Sequence, residues 1–398
     1  MDLLGWVIFL VALLFSVMLH ETGHFVAAKK FGMKVTRFFV GFGPTIWSTR
    51  RGETEYGIKA LPLGGFVKIV GMHSLDDPDD PADEPRSFRR QPGWQRIIVL
   101  AAGSAMHFLL ALALIFGLAL GVGIENGNST KLGTVSPCVA SSVTALDNGT
   151  CAPSDRPSPA RLAGLRVGDT VVAFDGKPVG NWTQLGDAIR GKPPGSAATI
   201  TVRRGGRLVT LHTTLAKVPG RSGSYLGIAP TVVFQAAGPL RAAGYAGSAF
   251  GQVLAGSAKA VAALPGALPK LFSKNRADTA AGQVSSVVGA AEATGAAVAA
   301  NVGWQYKVSF VLLLIASLNI FVGAFNLLPL HPMDGGHVAV IVYERIRAWL
   351  ARLRGRPDPG LVDMARLLPV SFSIFVVLMF FGVMLILADI VNPVTRGW

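Results

Sequence analysis

The sequence predicts an α-helical polytopic membrane protein with four transmembrane helices, a small membrane-associated β-element and an extracytoplasmic α+β domain. Two observations lead to this fold class. Of the 398 residues, 51% are hydrophobic and only 15% are charged, whereas a soluble protein carries about 25% charged residues. The apolar residues also collect in four windows that can each cross a hydrocarbon core of about 30 Å. These windows lie near residues 3–19, 97–122, 308–328 and 367–388.

The distribution of lysine and arginine predicts the orientation of these helices. Basic residues are frequent after the first window, before the second, and between the third and the fourth. Because short positive loops stay in the cytoplasm, residues 29–95 and 335–366 are expected inside a plasma or inner membrane, and residues 123–306 and both termini outside. The first window has no basic n-region, so we expect it to remain as a membrane helix and not to be removed as a signal peptide.

The net charge of +14 is explained by this topology. A nucleic-acid site would favour a basic patch interleaved with aromatic residues, and the sequence contains no such patch. The lipid bilayer is therefore the expected partner of the basic loops, and nucleic acid is not an expected partner.

The predicted helices divide the chain into eight segments. The membrane helices are assigned to residues 1–28, 96–122, 307–336 and 367–391. The segments between them are assigned as a cytoplasmic loop (29–95), an outer domain (123–230), an outer linker (231–306) and a second cytoplasmic loop (337–366). The linker is rich in alanine, glycine and serine, and its helix either lies on the membrane surface or simply connects its neighbours.

The first cytoplasmic loop contains a β-pattern. Residues 54–72, "TEYGIKALPLGGFVKIVGM", alternate apolar and polar side chains and are interrupted at Gly64-Gly65. Such a pattern predicts a β-hairpin or small sheet around the two glycines. Its apolar content favours a position against the membrane.

The outer domain combines a short helix with strands. Residues 158–179, "SPARLAGLRVGDTVVAFDGKPV", place the helix before a Gly-Asp turn and a strand, and residues 198–215 alternate as a hairpin. This pattern resembles a bacterial PDZ domain. Cys138 and Cys151 lie in the same domain, where an oxidising compartment favours a disulfide. Inert thiols are the alternative, and the spacing of the two cysteines disfavours a metal site or a redox pair.

The residues suited to chemistry stand at the end of the first window. His20, Glu21 and His24 form the pattern H-E-x-x-H. Positions i and i+4 share one face of a helix, so both imidazoles can reach one metal ion, and the glutamate can take a proton from water. The alternative is three polar residues where a helix leaves lipid. The metal site is favoured, because ionisable groups beside hydrocarbon are functional by default.

A catalytic zinc site needs a third protein ligand and one open position. Asp334, in "FNLLPLHPMDGGH" (325–337), is the candidate, because two prolines break the third helix there and expose backbone near the inner face. His331 and His337 are rival ligands. His107, inside the second membrane helix, either hydrogen-bonds near the site or packs between helices.

With H-E-x-x-H in the first membrane helix and Asp-Gly-Gly after the third, the chain resembles the site-2 protease family of zinc intramembrane proteases. Its outer PDZ-like domain is similar to that of the bacterial branch that cleaves anti-sigma factors. Further matching stretches are "GFGP" (41–44), "LPLGGFVKI" (61–69), "SFRRQPGWQRIIVLAAG" (87–103) and "NLLPLHPMDGG" (326–336). The resemblance implies Zn²⁺ bound by His20, His24 and Asp334, with Glu21 activating water.

The resemblance also implies how a substrate is held. Asn326 would support the substrate strand or the oxyanion, and the β-element at Gly64 and Gly65 would pair with an unwound substrate by strand addition. The substrates would be single-span membrane proteins already trimmed outside, such as anti-sigma factors or signal-peptide remnants.

The chain departs from the family pattern at two places. His331 stands where the family has a second proline, and Ser104 and His107 stand where it has proline and asparagine. Two other functions compete with proteolysis: a PDZ-bearing membrane scaffold without hydrolysis, and a metal transporter. The intact H-E-x-x-H disfavours the scaffold. A transporter would favour ligands near the bilayer midplane and paired repeats, which the sequence does not contain.

Overall fold

The computed structural model describes residues 3–72, 80–141, 151–219, 223–267, 271–272, 286–300, 302–362 and 367–391. Contacts divide these residues into two units. The first unit takes in the described residues up to 117 together with those from 240 onward, and the second unit takes in those from 118 to 239. The candidate site residues of the H-E-x-x-H and Asp-Gly-Gly motifs all belong to the first unit.

The first unit opens with helices and a β-element. Its elements are α1 (Leu3–Lys30), β1 (Val35–Arg51), β2 (Thr54–Ile69) and α2 (Gly93–Gly121), the last of which runs on into the second unit. The second unit contains β3 (Ile124–Asn126), β4 (Leu132–Val135), α3 (Pro159–Leu162), β5 (Thr170–Phe174), β6 (Lys177–Pro178), α4 (Trp182–Arg190), β7 (Ala197–Arg204), β8 (Arg207–Thr214), β9 (Ile228–Pro230) and β10 (Val233–Gln235). The first unit then resumes with α5 (Pro239–Ala267), α6 (Val287–Ala299), α7 (Trp304–Asn326), α8 (Asp334–Leu353) and α9 (Leu368–Val391).

The prediction of four apolar helices long enough to cross a membrane is confirmed among the described residues. These helices are α1, α2, α7 and α9, with mean hydropathies between 2.3 and 2.9. Each has at least 23 residues, which at 1.5 Å per residue gives a length of about 35 Å or more. The shorter apolar helix α6 packs against α1, where the backbones approach closely at Gly5 and Gly295. Such small residues allow close contacts between helices in membranes.

The third membrane helix is broken at the two prolines, as the sequence predicts, so the segment of residues 307–336 that ends with the Asp-Gly-Gly motif is not one continuous helix. Instead, α7 ends at Asn326, and Asp334 opens the separate helix α8. The segment between them contains Pro329 and Pro332, which remove backbone donors and prevent a continuous helix.

The β-element has a more complex register than a single hairpin. Residues 45–51 of β1 pair with residues 54–59 of β2, whereas residues 35–40 pair with residues 65–69. Residues 37–40 also pair with residues 55–58, so the two strands fold into several adjacent segments.

The expectation of a hairpin turning at Gly64-Gly65 is corrected. The two strands are joined at Gly52-Glu53, where Gly52 has a φ of 62°. Gly64 lies inside β2, directly before the second stretch that pairs with β1, and Gly65 opens that stretch opposite Val40. Gly64 has a φ of 145°, and a Cβ at Gly65 would come within 2.3 Å of the Met18 sulfur. The glycines are needed because β2 passes directly over α1 here.

A buried cluster joins the β-element to the helices α1, α2 and α8. It combines Ala28 at the end of α1, Val35 of β1, Ile69 of β2, Leu100 of α2 and Ile341 of α8. These side chains are at most 3% exposed. Burying each large aliphatic side chain contributes about 1.5–3 kcal/mol, so the cluster holds five elements in one arrangement.

The second unit is built on a four-stranded sheet in the order β6-β5-β7-β8. Its core includes Val171, Leu185, Ile200 and Leu226. Arg204 of β7 donates to both carboxylate oxygens of Asp169, at 2.8 and 2.7 Å. In the same unit, Cys138 and Cys151 form a disulfide.

Candidate metal centre

Two histidines present their ring nitrogens to each other on one face of α1. His20 and His24 are separated by one helical turn, and their Nε2 atoms lie 3.0 Å apart. The side chains are buried, with residue exposures of 8% and 3%. The spacing follows directly from the 3.6-residue period of the α-helix.

Asp334 of α8 completes a three-residue cluster. Its Oδ2 lies 3.3 Å from His20 Nε2 and 3.4 Å from His24 Nε2. The same oxygen is buried and has no hydrogen-bond partner in the described part of the chain. These three residues are the one set of at least three His, Cys, Asp or Glu side chains there whose ligand atoms all converge.

The glycines after Asp334 allow α8 to begin so close to the preceding segment. A Cβ at Gly335 would come within 2.3 Å of backbone atoms of Leu327 and Leu328. A Cβ at Gly336 would come within 2.7 Å of the backbone of Leu330 and His331. Real Cβ contacts are not this short, so only glycine lets the segment after α7 fold onto the first turn of α8 and bring Asp334 to the histidines.

The cluster fits a zinc ion on its own geometry. Atoms bound to one tetrahedral zinc at about 2.1 Å lie roughly 3.4 Å from one another. The two separations from Asp334, 3.3 and 3.4 Å, match that value, and the separation between the two histidine nitrogens, 3.0 Å, is about 0.4 Å shorter. Two imidazole nitrogens and one carboxylate oxygen form a donor set typical of catalytic zinc, and they leave a fourth position open.

His24 is oriented by a backbone carbonyl of α2. Its Nδ1 lies 2.7 Å from the oxygen of Val99, and a carbonyl can only accept, so Nδ1 carries the proton. The lone pair is then on Nε2, which faces the cluster. Such a bond on the far side of the ring fixes the tautomer that a metal needs.

A close contact between α1 and α2 leaves room for the histidines. A Cβ at Gly103 would lie 2.5 Å from both His20 Cε1 and His24 Nε2. A Cβ at Gly23 would lie 2.4 Å from the carbonyl oxygen of Ala102. The two helices therefore meet through glycines on both sides, and the imidazoles fill the space that a side chain at position 103 would take.

Glu21 connects the cluster to the β-element. One of its carboxylate oxygens accepts a hydrogen bond of 3.0 Å from the backbone N–H of Val67 in β2. Val67 pairs with Phe38 of β1, so residues 65–69 lie between β1 and α1. The edge of β2 that is turned away from β1 therefore faces Glu21.

Sequence reasoning missed a buried polar network beside the cluster. Ser16 Oγ donates to Asn319 Oδ1 at 2.5 Å, and His107 Nδ1 lies 2.8 Å from the same oxygen. The His107 ring lies 5.0 Å from the His20 ring, centre to centre. His107 is thus buried between helices, as the favoured alternative states, and it also lies beside the site. Ser16 could have been predicted, because it stands four residues before His20 and therefore on the same face of α1. No sequence pattern around Asn319 predicts that it lies near the cluster.

The remaining sequence-predicted residues are not among the three convergent ligands. His331 and His337 contact each other, with ring centres 4.6 Å apart, and neither belongs to the convergent cluster. Asn326 is the partly exposed last residue of α7. Its role, and that of Gly64 and Gly65, stays a prediction.

Comparisons with known proteins place similar sequences along almost the whole chain. A profile of peptidase family M50 matches residues 8–356. The zinc metalloprotease Rip1 of Mycobacterium tuberculosis (strain Erdman) is 38% identical over 407 residues, covering 98% of each chain. Zinc metalloprotease Rip1 of Mycolicibacterium smegmatis is 37% identical over 413 residues, again covering 98% of each. A putative zinc metalloprotease of Nostoc is 29% identical and covers 91% of each.

Proposed function

Because the chain belongs to peptidase family M50, the site-2 protease family, we propose that it is a zinc endopeptidase that hydrolyses peptide bonds in membrane-spanning segments of single-span proteins. The chain is similar along nearly its full length to proteins named zinc metalloproteases, which supports zinc as the cofactor. The observation that carries the proposal is the convergence of His20, His24 and Asp334 beside Glu21.

His20, His24 and Asp334 are the residues that would hold zinc. When bound, zinc supplies a Lewis acid that polarises the scissile carbonyl and makes a water molecule more acidic. The three protein ligands leave one position open for water and substrate, as a catalytic site requires. His20 and His24 are buried and Asp334 is half-buried, so the site excludes bulk water from most directions.

Glu21 is the general base of the proposed reaction. It follows His20 in the chain, so its carboxylate lies beside the cluster without joining it. Glu21 takes a proton from the attacking water and delivers it to the nitrogen of the leaving amine. Its hydrogen bond from Val67 N–H holds one carboxylate oxygen in place and leaves the other free for this transfer.

The edge of β2 supports the proposed binding of the substrate. A membrane helix hides its peptide bonds in internal hydrogen bonds, so it must unwind before hydrolysis. An unwound segment that adds as a strand beside residues 65–69 would satisfy its backbone groups and lie next to Glu21. The exposed apolar side chains of Phe42, Leu61 and Leu63 favour a position of this β-element within the membrane.

The second unit is proposed to act as a filter for substrates. Its helix and strand order is that of the PDZ-like pattern in the sequence. With residues 29–95 inside and 123–306 outside, this unit lies on the outer side and the catalytic site lies toward the cytoplasmic face. Single-span substrates, including proteins like anti-sigma factors, would then need their outer domains trimmed before their membrane segments reach the catalytic site.

A comparison of wild type with Glu21→Gln tests the proposal. Both forms are co-expressed with tagged single-span proteins whose outer domains have been shortened, and the fragments are mapped by mass spectrometry. We expect a cut within the membrane segment for wild type only, with both forms equally abundant. Equal fragments from the two forms would refute the hydrolysis and favour a scaffold. Zinc analysis of both purified forms checks that the substitution removes the base and leaves the metal in place.

A further inference from the structure

The two histidines of the cluster differ in what holds the far side of the ring. His24 Nδ1 donates to Val99 O. His20 Nδ1 is equally enclosed by protein, yet it has no hydrogen-bond partner in the described ranges. Because His20 Nε2 faces His24 and Asp334, the proton of the neutral ring belongs on Nδ1. A buried N–H donor of this kind normally has a partner.

His107 of α2 is the polar side chain next to this donor. It is 2% exposed, and its ring lies 5.0 Å from the His20 ring at an angle of 39°. It stands one turn after Gly103, whose Cβ position is 2.7 Å from His20 Nδ1. Long side chains in a helix lean toward the preceding turn, so His107 covers the same space.

The hydrogen bonds of His107 determine its tautomer. Asn319 Nδ2 donates to the carbonyl of Ile315 at 2.8 Å, so the Asn319 Oδ1 that faces His107 is an acceptor. Ser16 Oγ uses its proton on that same oxygen. The Nδ1 of His107 therefore has only acceptors before it, at 2.8 and 3.1 Å, and must carry the proton. Its Nε2 is left with a lone pair.

Ser104 supplies a third polar group at the same level of α2. It lies next to Gly103 and one turn before His107, and its Oγ is fully buried without a hydrogen-bond partner among the described residues. A donor on His20, an acceptor on His107 and a hydroxyl on Ser104 together provide the two to four polar partners that a buried water needs.

We propose that His107 is a positioning residue for His20, accepting the proton of His20 Nδ1 through one ordered water that is shared with Ser104. The contact fixes the ring plane of His20 and the lone pair on its Nε2, as the Val99 carbonyl does for His24. This role rests on the proposed function, because it matters only if His20 binds zinc. Outer hydrogen bonds of metal-binding histidines typically account for about 10–100-fold in metal affinity.

Two amide variants of the full-length protein separate this role from a purely structural one. In His107→Gln the side-chain oxygen can take the place of Nε2, whereas in His107→Asn the shorter amide can take only the place of Nδ1. The zinc dissociation constant is measured by competition with a chelator on the detergent-solubilised protein. We expect His107→Gln to stay within about threefold of wild type and His107→Asn to bind zinc about 10–100-fold more weakly.

The reverse order, or equal constants for both variants, would overturn the proposal. If His107 served only the structure, its bonds to Asn319 and Ser16 would be the ones that matter. Asparagine, whose amide takes the place of Nδ1, would then be the better replacement. The thermal unfolding midpoint of each metal-free variant is recorded to separate loss of zinc from loss of folding.

A pair of serine variants provides a matched control. Ser104→Ala removes one partner of the water, and we expect a weakening of zinc binding of about threefold or more. Ser309→Ala also removes a buried hydroxyl that has no hydrogen-bond partner among the described residues. Ser309 lies on α7, about 15 Å along the helix axis from Asn319, so this substitution should leave the zinc dissociation constant unchanged. Equal effects of the two would contradict the water-mediated contact. If wild type itself binds no zinc, the proposed function fails; if it binds zinc and the variants do not differ, only this inference fails.

Discussion

Substituting Gly103 by alanine tests the geometry of the cluster most directly. The new methyl group would lie 2.5 Å from His20 Cε1 and 2.5 Å from His24 Nε2. Non-bonded carbon atoms prefer about 3.5–4.0 Å, so the imidazoles would have to retreat by about 1 Å. Separating the helices would open the buried cluster in which Ala28 of α1 packs with Leu100 of α2.

The size of the effect follows from that displacement. Forcing one methyl group into a packed interior costs about 1–3 kcal/mol. Metal–ligand distances in proteins fall within about 0.2 Å of their usual values, and a misplacement of about 1 Å near a reacting centre can cost about 100-fold in rate. We therefore expect Gly103→Ala to weaken zinc binding at least about tenfold, and to lower the rate of cleavage about 100-fold.

Gly117→Ala is the matched control, because it makes the same substitution in the same helix. A Cβ at Gly117 would meet nothing within 4 Å, and alanine is favoured over glycine in a helix by about 1 kcal/mol. Zinc content is measured on both purified variants, and cleavage is measured with a tagged single-span substrate. If Gly103→Ala keeps its zinc affinity and its rate within about threefold of Gly117→Ala, the packing argument is wrong.

Two further predictions follow from other contacts. Asp334→Ala should remove zinc from the purified protein, whereas His331→Ala should retain it; zinc retained in the first variant, or lost in the second, would contradict the ligand set. In the second unit, the hydrogen bonds from Arg204 lower the pKa of Asp169. The ionised Asp169 therefore stabilises the folded unit at pH values above the pKa of an unfolded aspartate, about 4. This contribution to the free energy of unfolding is lost as the pH falls from that value through the lowered pKa of the folded state. Hydrogen exchange of the full-length protein should show faster opening of residues 159–214 at pH 3 than at pH 6. In Asp169→Asn the same residues should open quickly at both pH values. An opening rate of the wild type that does not depend on pH, after correction for intrinsic exchange, would count against this prediction.

Local sequence patterns correctly predicted the features that depend on a single helix. The four apolar helices followed from run length, because a bilayer of fixed thickness demands about 20 apolar residues. The facing of His20 and His24 followed from helical period alone. The place of the hairpin turn did not follow, because Gly64 and Gly65 serve close packing over Met18, while Gly52 supplies the turn. A sequence shows that glycine is present, but not which of its properties the fold uses.

The membrane class, the H-E-x-x-H pair and the association of that motif with a distant Asp-Gly-Gly could be predicted from residue patterns. The choice of Asp334 over His331 and His337 as the residue that converges with the histidines could not, because it depends on how the segment after α7 packs against α8. The tertiary structure also decided that Ser16, His107 and Asn319 meet beside His20. These three residues lie on three different helices. His107 is 91 positions from Ser16, and Asn319 is 303 positions from it. Contacts over such separations arise from helix packing, which the local periodicity of a sequence does not encode.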